Sequence, residues 1–136
     1  MTAALDPAVP RKLGLRAGAE VLVIEGPAGY AEALQAVAPE AHVAVAPRIG
    51  VFDQVQLFCR DRATLEAHAA EALAAYKPMG HLWVCYPKGG SGVATDLNRD
   101  VDWGPLDAAG FRAVTQVAID RVWSALRFRP LTEVGR

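Results

Sequence analysis

A chain of 136 residues suits one domain that buries roughly two-thirds of its unfolded surface, and 52% hydrophobic against 21% charged residues excludes a disordered chain. A formal charge of −1 supplies no field to gather nucleic acid or an anionic membrane surface, so neither is an expected partner. No apolar run approaches the roughly 20 residues that span a bilayer, and "MTAALDPAVPRKLG" lacks the basic start and unbroken apolar stretch of a signal peptide, which predicts a cytoplasmic protein.

Residues 1–20 contain Pro7 and Pro10 and read as an N-terminal arm with a short, broken helix. "VLVI", Val21 to Ile24, is a continuous apolar run, the pattern of a strand buried on both faces of a parallel sheet. After "EGPAG", the spacing of Tyr30, Leu34 and Val37 predicts one face of a helix that ends before Pro39. "HVAVA" (His42 to Ala46) and "VFDQVQLFC" (centred on Val55 to Cys59) predict two more strands. Asp61 is placed to cap a helix whose apolar stripe is Leu65, Ala69, Ala72, Leu73 and Tyr76. "KPMG" breaks that period, and "HLWVCY", His81 to Tyr86, reads as another strand buried on both faces. "GPLDAAG" suits a short helix, and "AVTQVAID" with "RVWSALRF" lie too close for a crossover helix and predict an antiparallel hairpin. Cys59 and Cys85 sit in or beside strands, far from metal-ligand spacing, and read as reduced, buried thiols.

The order β-α-β-β-α-β-α-β-β predicts a single Rossmann-like α/β domain over residues 1–136, an open, mostly parallel sheet with a C-terminal antiparallel hairpin. With "VLVIEGPAG" as first strand and glycine turn, "FDQVQLF" as fourth strand and "YKPMGHLWV" as the lysine-proline-glycine approach to the fifth, this order resembles a shortened class I S-adenosylmethionine-dependent methyltransferase core. "TDLNRD" with "VWSALRF" also resembles a family of short, uncharacterised bacterial proteins of about this length. The methyltransferase resemblance implies a Gly-x-Gly-x-Gly turn and a carboxylate after the second strand. Here Glu25, Pro27 and Gly29 stand nearest the three glycines, and Pro47 and Arg48 follow the second strand.

Open α/β sheets bind ligands beyond the carboxyl ends of their strands. Val21–Ile24 and His81–Tyr86 are expected as side-by-side parallel neighbours whose trailing loops face one crevice. The candidate ligand-binding residues are therefore Glu25, Gly26, Gly29 and Tyr30 in the first loop, and Lys88, Gly89, Gly90, Ser91, Asp96 and Asn98 in the second. Glycines let backbone amides turn toward an anion and Lys88 brings charge, so the expected partner is a small anionic or nucleotide-like ligand; the competing reading is a plain connecting loop. Lys88 precedes its glycines, unlike a phosphate-binding P-loop lysine, and Val93 replaces the last glycine of a hydrolase elbow around Ser91. Asp96, Asn98 and Asp100 stand at the alternate spacing of a calcium loop, with Asp102 beyond, but its glycine and terminal glutamate are missing. No catalytic or metal-binding residue and no cofactor is fixed by the sequence. Trp103 is a candidate for lining the crevice, and Tyr30 for stacking on a flat ligand or packing in the core.

These readings suggest a non-catalytic ligand-binding or regulatory module on a degenerate methyltransferase-like fold, or alternatively a methyltransferase with an altered cofactor turn. The "PRIGVFDQ" connection is too short for a crossover helix, which leaves one sheet face thinly covered and predicts a homodimer that buries apolar surface from that face or from the hairpin edge.

Overall fold

The computed structural model describes residues 5–46, 51–98 and 103–132. Pro47, Arg48, Asp100 and Asp102 lie outside the described residues. The chain forms α1 (Val9–Lys12), β1 (Glu20–Ile24), α2 (Tyr30–Val37), β2 (His42–Ala44), β3 (Phe52–Phe58), α3 (Arg62–Ala75), β4 (Tyr76–Pro87), α4 (Pro105–Ala108), β5 (Phe111–Ala118) and β6 (Trp123–Pro130). After the arm with α1, this is the expected order.

Six strands build one sheet in the order β2-β1-β3-β4-β6-β5. β2, β1, β3 and β4 run parallel, and β6 joins β4 antiparallel with β5 outside it. One expectation is corrected here. β1 and β4 run the same way but are not neighbours: Leu22 pairs with Val55 and Val55 with Leu82, so β3 stands between them. The segment Phe52–Phe58 is buried on both faces at the central position, Phe52, Val55 and Leu57 on one and Gln54, Gln56 and Phe58 on the other.

Helices cover both faces. On one, Leu65, Ala69 and Ala72 of α3 and Leu106 of α4 pack against Leu22, Val55, Leu57, Leu82, Val84 and Leu126. On the other, Val9 of α1, Leu13, and Tyr30 and Leu34 of α2 pack against Val21, Val23, Phe58, Trp83 and Cys85. Leu22 and Ile24, the β1 side chains on the face expected to be thin, are buried within the single chain, so that argument for a dimer falls away. Trp103 is also corrected: it is buried in the α3 face between Tyr86 and Phe128, with ring centroids 5.6 and 5.4 Å away, and belongs to the core.

α2 turns the chain back after β1 toward the β2 edge, and α3 carries it from β3 to β4 in the other direction. The strand order therefore reverses between β1 and β3, which opens a crevice at their carboxyl ends.

Candidate functional site

At the carboxyl end of β1 the backbone makes a tight turn. Glu25 takes φ 57° and Gly29 φ 81°, both left-handed. A Cβ placed on Gly26 would lie 2.6 Å from Val23 Cγ1, so the chain passes its own strand too closely for a side chain there. The Tyr30 N–H donates to the Pro27 carbonyl at 2.9 Å and starts α2. The Glu25 carboxylate points across to α3, with Oε1 3.5 Å from His68 Nε2, while His68 Nδ1 lies 3.3 Å from Glu71 Oε2.

Tyr30 is held in the core. Its ring meets Phe58 edge-on at 4.6 Å, and its hydroxyl donates to Gln56 Oε1 at 2.6 Å. Burial, with smaller contributions from Cys85 and Asp120, pushes the Tyr30 hydroxyl far above its ordinary value. Burial likewise raises the Cys59 thiol to about 12, helped by Asp61 and Glu25, and places Cys85 well above the usual thiol range. All three groups keep their protons at neutral pH.

Arg60 and Asp61 follow β3. Asp61 is the N-cap of α3: its Oδ1 accepts from the Thr64 N–H at 2.9 Å and from Thr64 Oγ1 at 2.8 Å, and these bonds hold its carboxyl below the usual range. Asp96 Oδ1 accepts from the Arg62 N–H at 2.8 Å, so the loop after β4 is tied to the start of α3.

Two cavities open at this pole and share Pro27 and Ala28. One, of about 330 Å³, is lined by Glu25, Gly26, Phe58, Arg60, Asp61 and Thr64. The other, of about 630 Å³, runs between the arm, α2 and the β5–β6 turn past Leu5, Tyr30, Lys88 and Ile119. Both fall within the roughly 300–1,000 Å³ of small-molecule sites. A third cavity of about 500 Å³ lies at the opposite end of the sheet, beside Arg16, Asp53, Lys77 and His81. Among the described residues, no group of three or more His, Cys, Asp or Glu side chains could hold a metal ion.

Of the ten candidate residues, Glu25 and Gly26 line the smaller carboxyl-end cavity, and Tyr30 and Lys88 the larger. Gly29, Gly89, Gly90, Ser91, Asp96 and Asn98 line neither. A Cβ on Gly89 or Gly90 would meet nothing within 4 Å, and Ser91 Oγ accepts from the nearby Val93 N–H at 3.3 Å, so this stretch stands out into solvent. Lys88, before this stretch, turns to the β5–β6 connection: its N–H donates to the Val122 carbonyl at 2.7 Å and its Nζ to the Asp120 carbonyl at 2.5 Å. The sequence reading missed Arg60, Thr64 and Arg121. Arg60 was within reach of the strand-end rule, since it follows the central strand directly.

The same architecture occurs in solved methyltransferases. A SAM-dependent methyltransferase from Aquifex aeolicus aligns over 91% of this chain and 89% of its own, with a TM-score of 0.54 and 16% identity. A Sulfolobus solfataricus protein assigned as a type 11 methyltransferase aligns over 98% and 97%, with a TM-score of 0.55 and 9% identity. DhpI in complex with SAH aligns over 91% and 82%, with a TM-score of 0.53 and 11% identity. The likeness is one of fold, a methyltransferase-like core with Rossmann-like topology. No family model and no curated protein matches the sequence.

Proposed function

We propose that this chain binds S-adenosylmethionine in the crevice between the ends of β1 and β3 and passes its methyl group to an acceptor in the adjoining larger groove. The observation that carries the reading is the pair of cavities meeting at Pro27 and Ala28, at the point where the strand order reverses. The methyltransferase-like fold supports it, as does the SAH held by DhpI.

The residues present fit such a ligand. Glu25 and Gly29 keep left-handed backbone, so the turn is tightly folded although only one of the three glycines expected from the resemblance is present. Beside it, Glu25 and Arg60 offer one carboxylate and one guanidinium, complementary to the α-ammonium and α-carboxylate of an amino-acid end. The sulfonium supplies an activated methyl, so the chain's part is to align donor and acceptor and to exclude water. Held beside Glu25 and Arg60, the sulfonium would give its methyl to the acceptor and leave as a neutral thioether. Tyr30 and Cys59 hold their protons too firmly to act as bases, which suits an acceptor that arrives as its own nucleophile.

A second reading, a ligand-binding module without chemistry, is favoured by Glu25 itself, whose side chain stands where the resemblance expects a bare glycine backbone. Calorimetry with S-adenosylhomocysteine and a radiolabelled methyl-transfer assay separate the two. We expect micromolar-range binding, weakened at least about tenfold by Arg60→Ala, about 1.4 kcal/mol. Binding without transfer to any acceptor favours the module, and no binding at millimolar ligand overturns methyl transfer and any module built around the nucleoside.

A further inference from the structure

We propose that the larger carboxyl-end groove is built for a small apolar carboxylic acid, anchored by Lys88. Its role as the methyl acceptor rests on the reading above; its binding does not. The groove's inner wall is apolar: Leu5, Tyr30 and Ile119 are buried core residues that present one edge to it, beside Pro27 and Ala33. Burying a hydrocarbon or aromatic body against that wall removes apolar surface from water on both partners.

The rim carries the charge. Lys12, Lys88 and Arg121 stand at it against Asp6 and Asp120. Both carboxylates are engaged by backbone. Asp6 Oδ1 accepts from the Ala8 N–H at 2.8 Å, and Asp120 Oδ1 accepts from the Val122 and Trp123 N–H groups at 2.9 and 2.7 Å. Among the described residues, none of the three cations is within ion-pair distance of a carboxylate. Lys88 is the pre-organised one. Its backbone and its ammonium are both fixed on the β5–β6 turn, and the ammonium spends only one of its three donors on the Asp120 carbonyl. A carboxylate seated above the apolar wall meets the remaining donors where the local dielectric is lower than in water.

The ligand class follows from what the groove does and does not offer. With three cations against two carboxylates the rim favours an anion over a cation, and a neutral ligand leaves the Lys88 donors to water. A phosphate wants several convergent N–H groups, yet Gly89 and Gly90 face solvent away from this groove. A single fixed ammonium suits a monoanion.

The test uses the full chain, three probes of one carbon skeleton (cinnamate, cinnamyl alcohol and cinnamylamine) and phenyl phosphate as a fourth, titrated by calorimetry and by amide chemical shifts. The expected result is cinnamate at least about tenfold tighter than the alcohol, the amine weakest, and shifts at Ala33, Lys88 and Ile119. Lys88→Gln should reduce cinnamate to the level of the alcohol while leaving the alcohol unchanged. Equal affinity of acid and alcohol, shifts elsewhere in the fold, or phenyl phosphate binding more tightly than cinnamate overturns the proposal. Should Lys88→Gln fail to fold, the probe series on the unaltered chain still decides. Parallel titration with S-adenosylhomocysteine separates the two readings. Cinnamate binding without the nucleoside keeps the acid site and removes methyl transfer; the reverse keeps the nucleoside crevice and removes the acid site.

Discussion

Glu25 holds a left-handed backbone at φ 57°, which costs a residue with a Cβ roughly 1–2 kcal/mol and a β-branched residue more. The strand pairing of Ile24 with Leu57 and the turn that closes from Tyr30 onto Pro27 fix the chain on either side, so Glu25 bears the strain between them. Glycine at this position relieves it but adds freedom to the unfolded chain, about 0.5–1 kcal/mol the other way. We therefore expect Glu25→Gly to unfold within about 1 kcal/mol of the parent and Glu25→Val to lie about 1–2 kcal/mol below Glu25→Gly, read from urea midpoints. Both variants lose the His68 contact equally, so the difference reports backbone alone. Equal stability of the two would remove strain as the explanation. The sequence already marked this position as a missing glycine; that the left-handed turn survives without it depends on the pairing of Ile24 with Leu57, distant in sequence, which no local pattern reveals.

At the scale of elements, a buried polar chain links α2, the central strand and the arm. The Tyr30 hydroxyl donates to Gln56 Oε1 at 2.6 Å, Gln56 Nε2 to Gln54 Oε1 at 2.7 Å, and Gln54 Nε2 to the Leu13 carbonyl at 2.9 Å. Trp83 Nε1 donates to the same carbonyl at 3.1 Å. Gln54 and Gln56 are 2% and 0% exposed, so each lost partner leaves an atom that water does not reach. Tyr30→Phe orphans Gln56 Oε1 and should cost about 1–3 kcal/mol. Gln56→Leu orphans both the Tyr30 hydroxyl and Gln54 Oε1 and should cost more. The double variant leaves only Gln54 Oε1 unpaired and should fall short of the sum by about 0.5–3 kcal/mol in a denaturation cycle. Additive losses would mean the chain is not one unit. The pattern of "FDQVQLF" located the strand, because Val55, Leu57 and the flanking phenylalanines are apolar. It hid the glutamines' role, since alternating polar residues read as a solvent-facing edge unless the arm is known to fold back over them. Asp61, by contrast, was legible as an N-cap because capping is local, and Trp103 was misplaced because its neighbours Tyr86 and Phe128 are distant in sequence.

For the whole molecule, alternation of helix and strand made the layered sheet legible, together with the final hairpin, while neighbour relations were not. The same element order allows β1 to lie beside β3 or β4, and the choice was settled by burial of β3 on both faces. The carboxyl pole carries the two adjoining cavities and the capped Asp61, whereas the amino pole carries two further groups that link stability to acid. Asp53 Oδ1 lies 2.7 Å from Lys77 Nζ and its Oδ2 accepts from the Glu20 N–H at 2.8 Å; the Lys77 bond first, then the Glu20 N–H, hold its carboxyl below the ordinary value. Burial foremost, then the Arg127 charge, lowers the half-buried His81 imidazole, against a weaker pull upward from the Leu13 carbonyl. The two act in separate windows. Below about pH 6.5 the unfolded chain protonates its histidine while folded His81 resists, so the unfolded state binds more protons and stability falls as pH drops toward the folded value. Asp53 contributes above its unfolded pKa of about 3.9, and that contribution is lost as pH falls further through its lowered folded value. Unfolding midpoints should therefore decline in two steps on acidification. His81→Gln should flatten the first step and leave the second, and Asp53→Asn should shrink the second, down to the share that the Asp61 cap contributes, and leave the first. A parent chain whose midpoint stays level from pH 7 to 5 would mean that folded His81 accepts its proton as readily as unfolded histidine does.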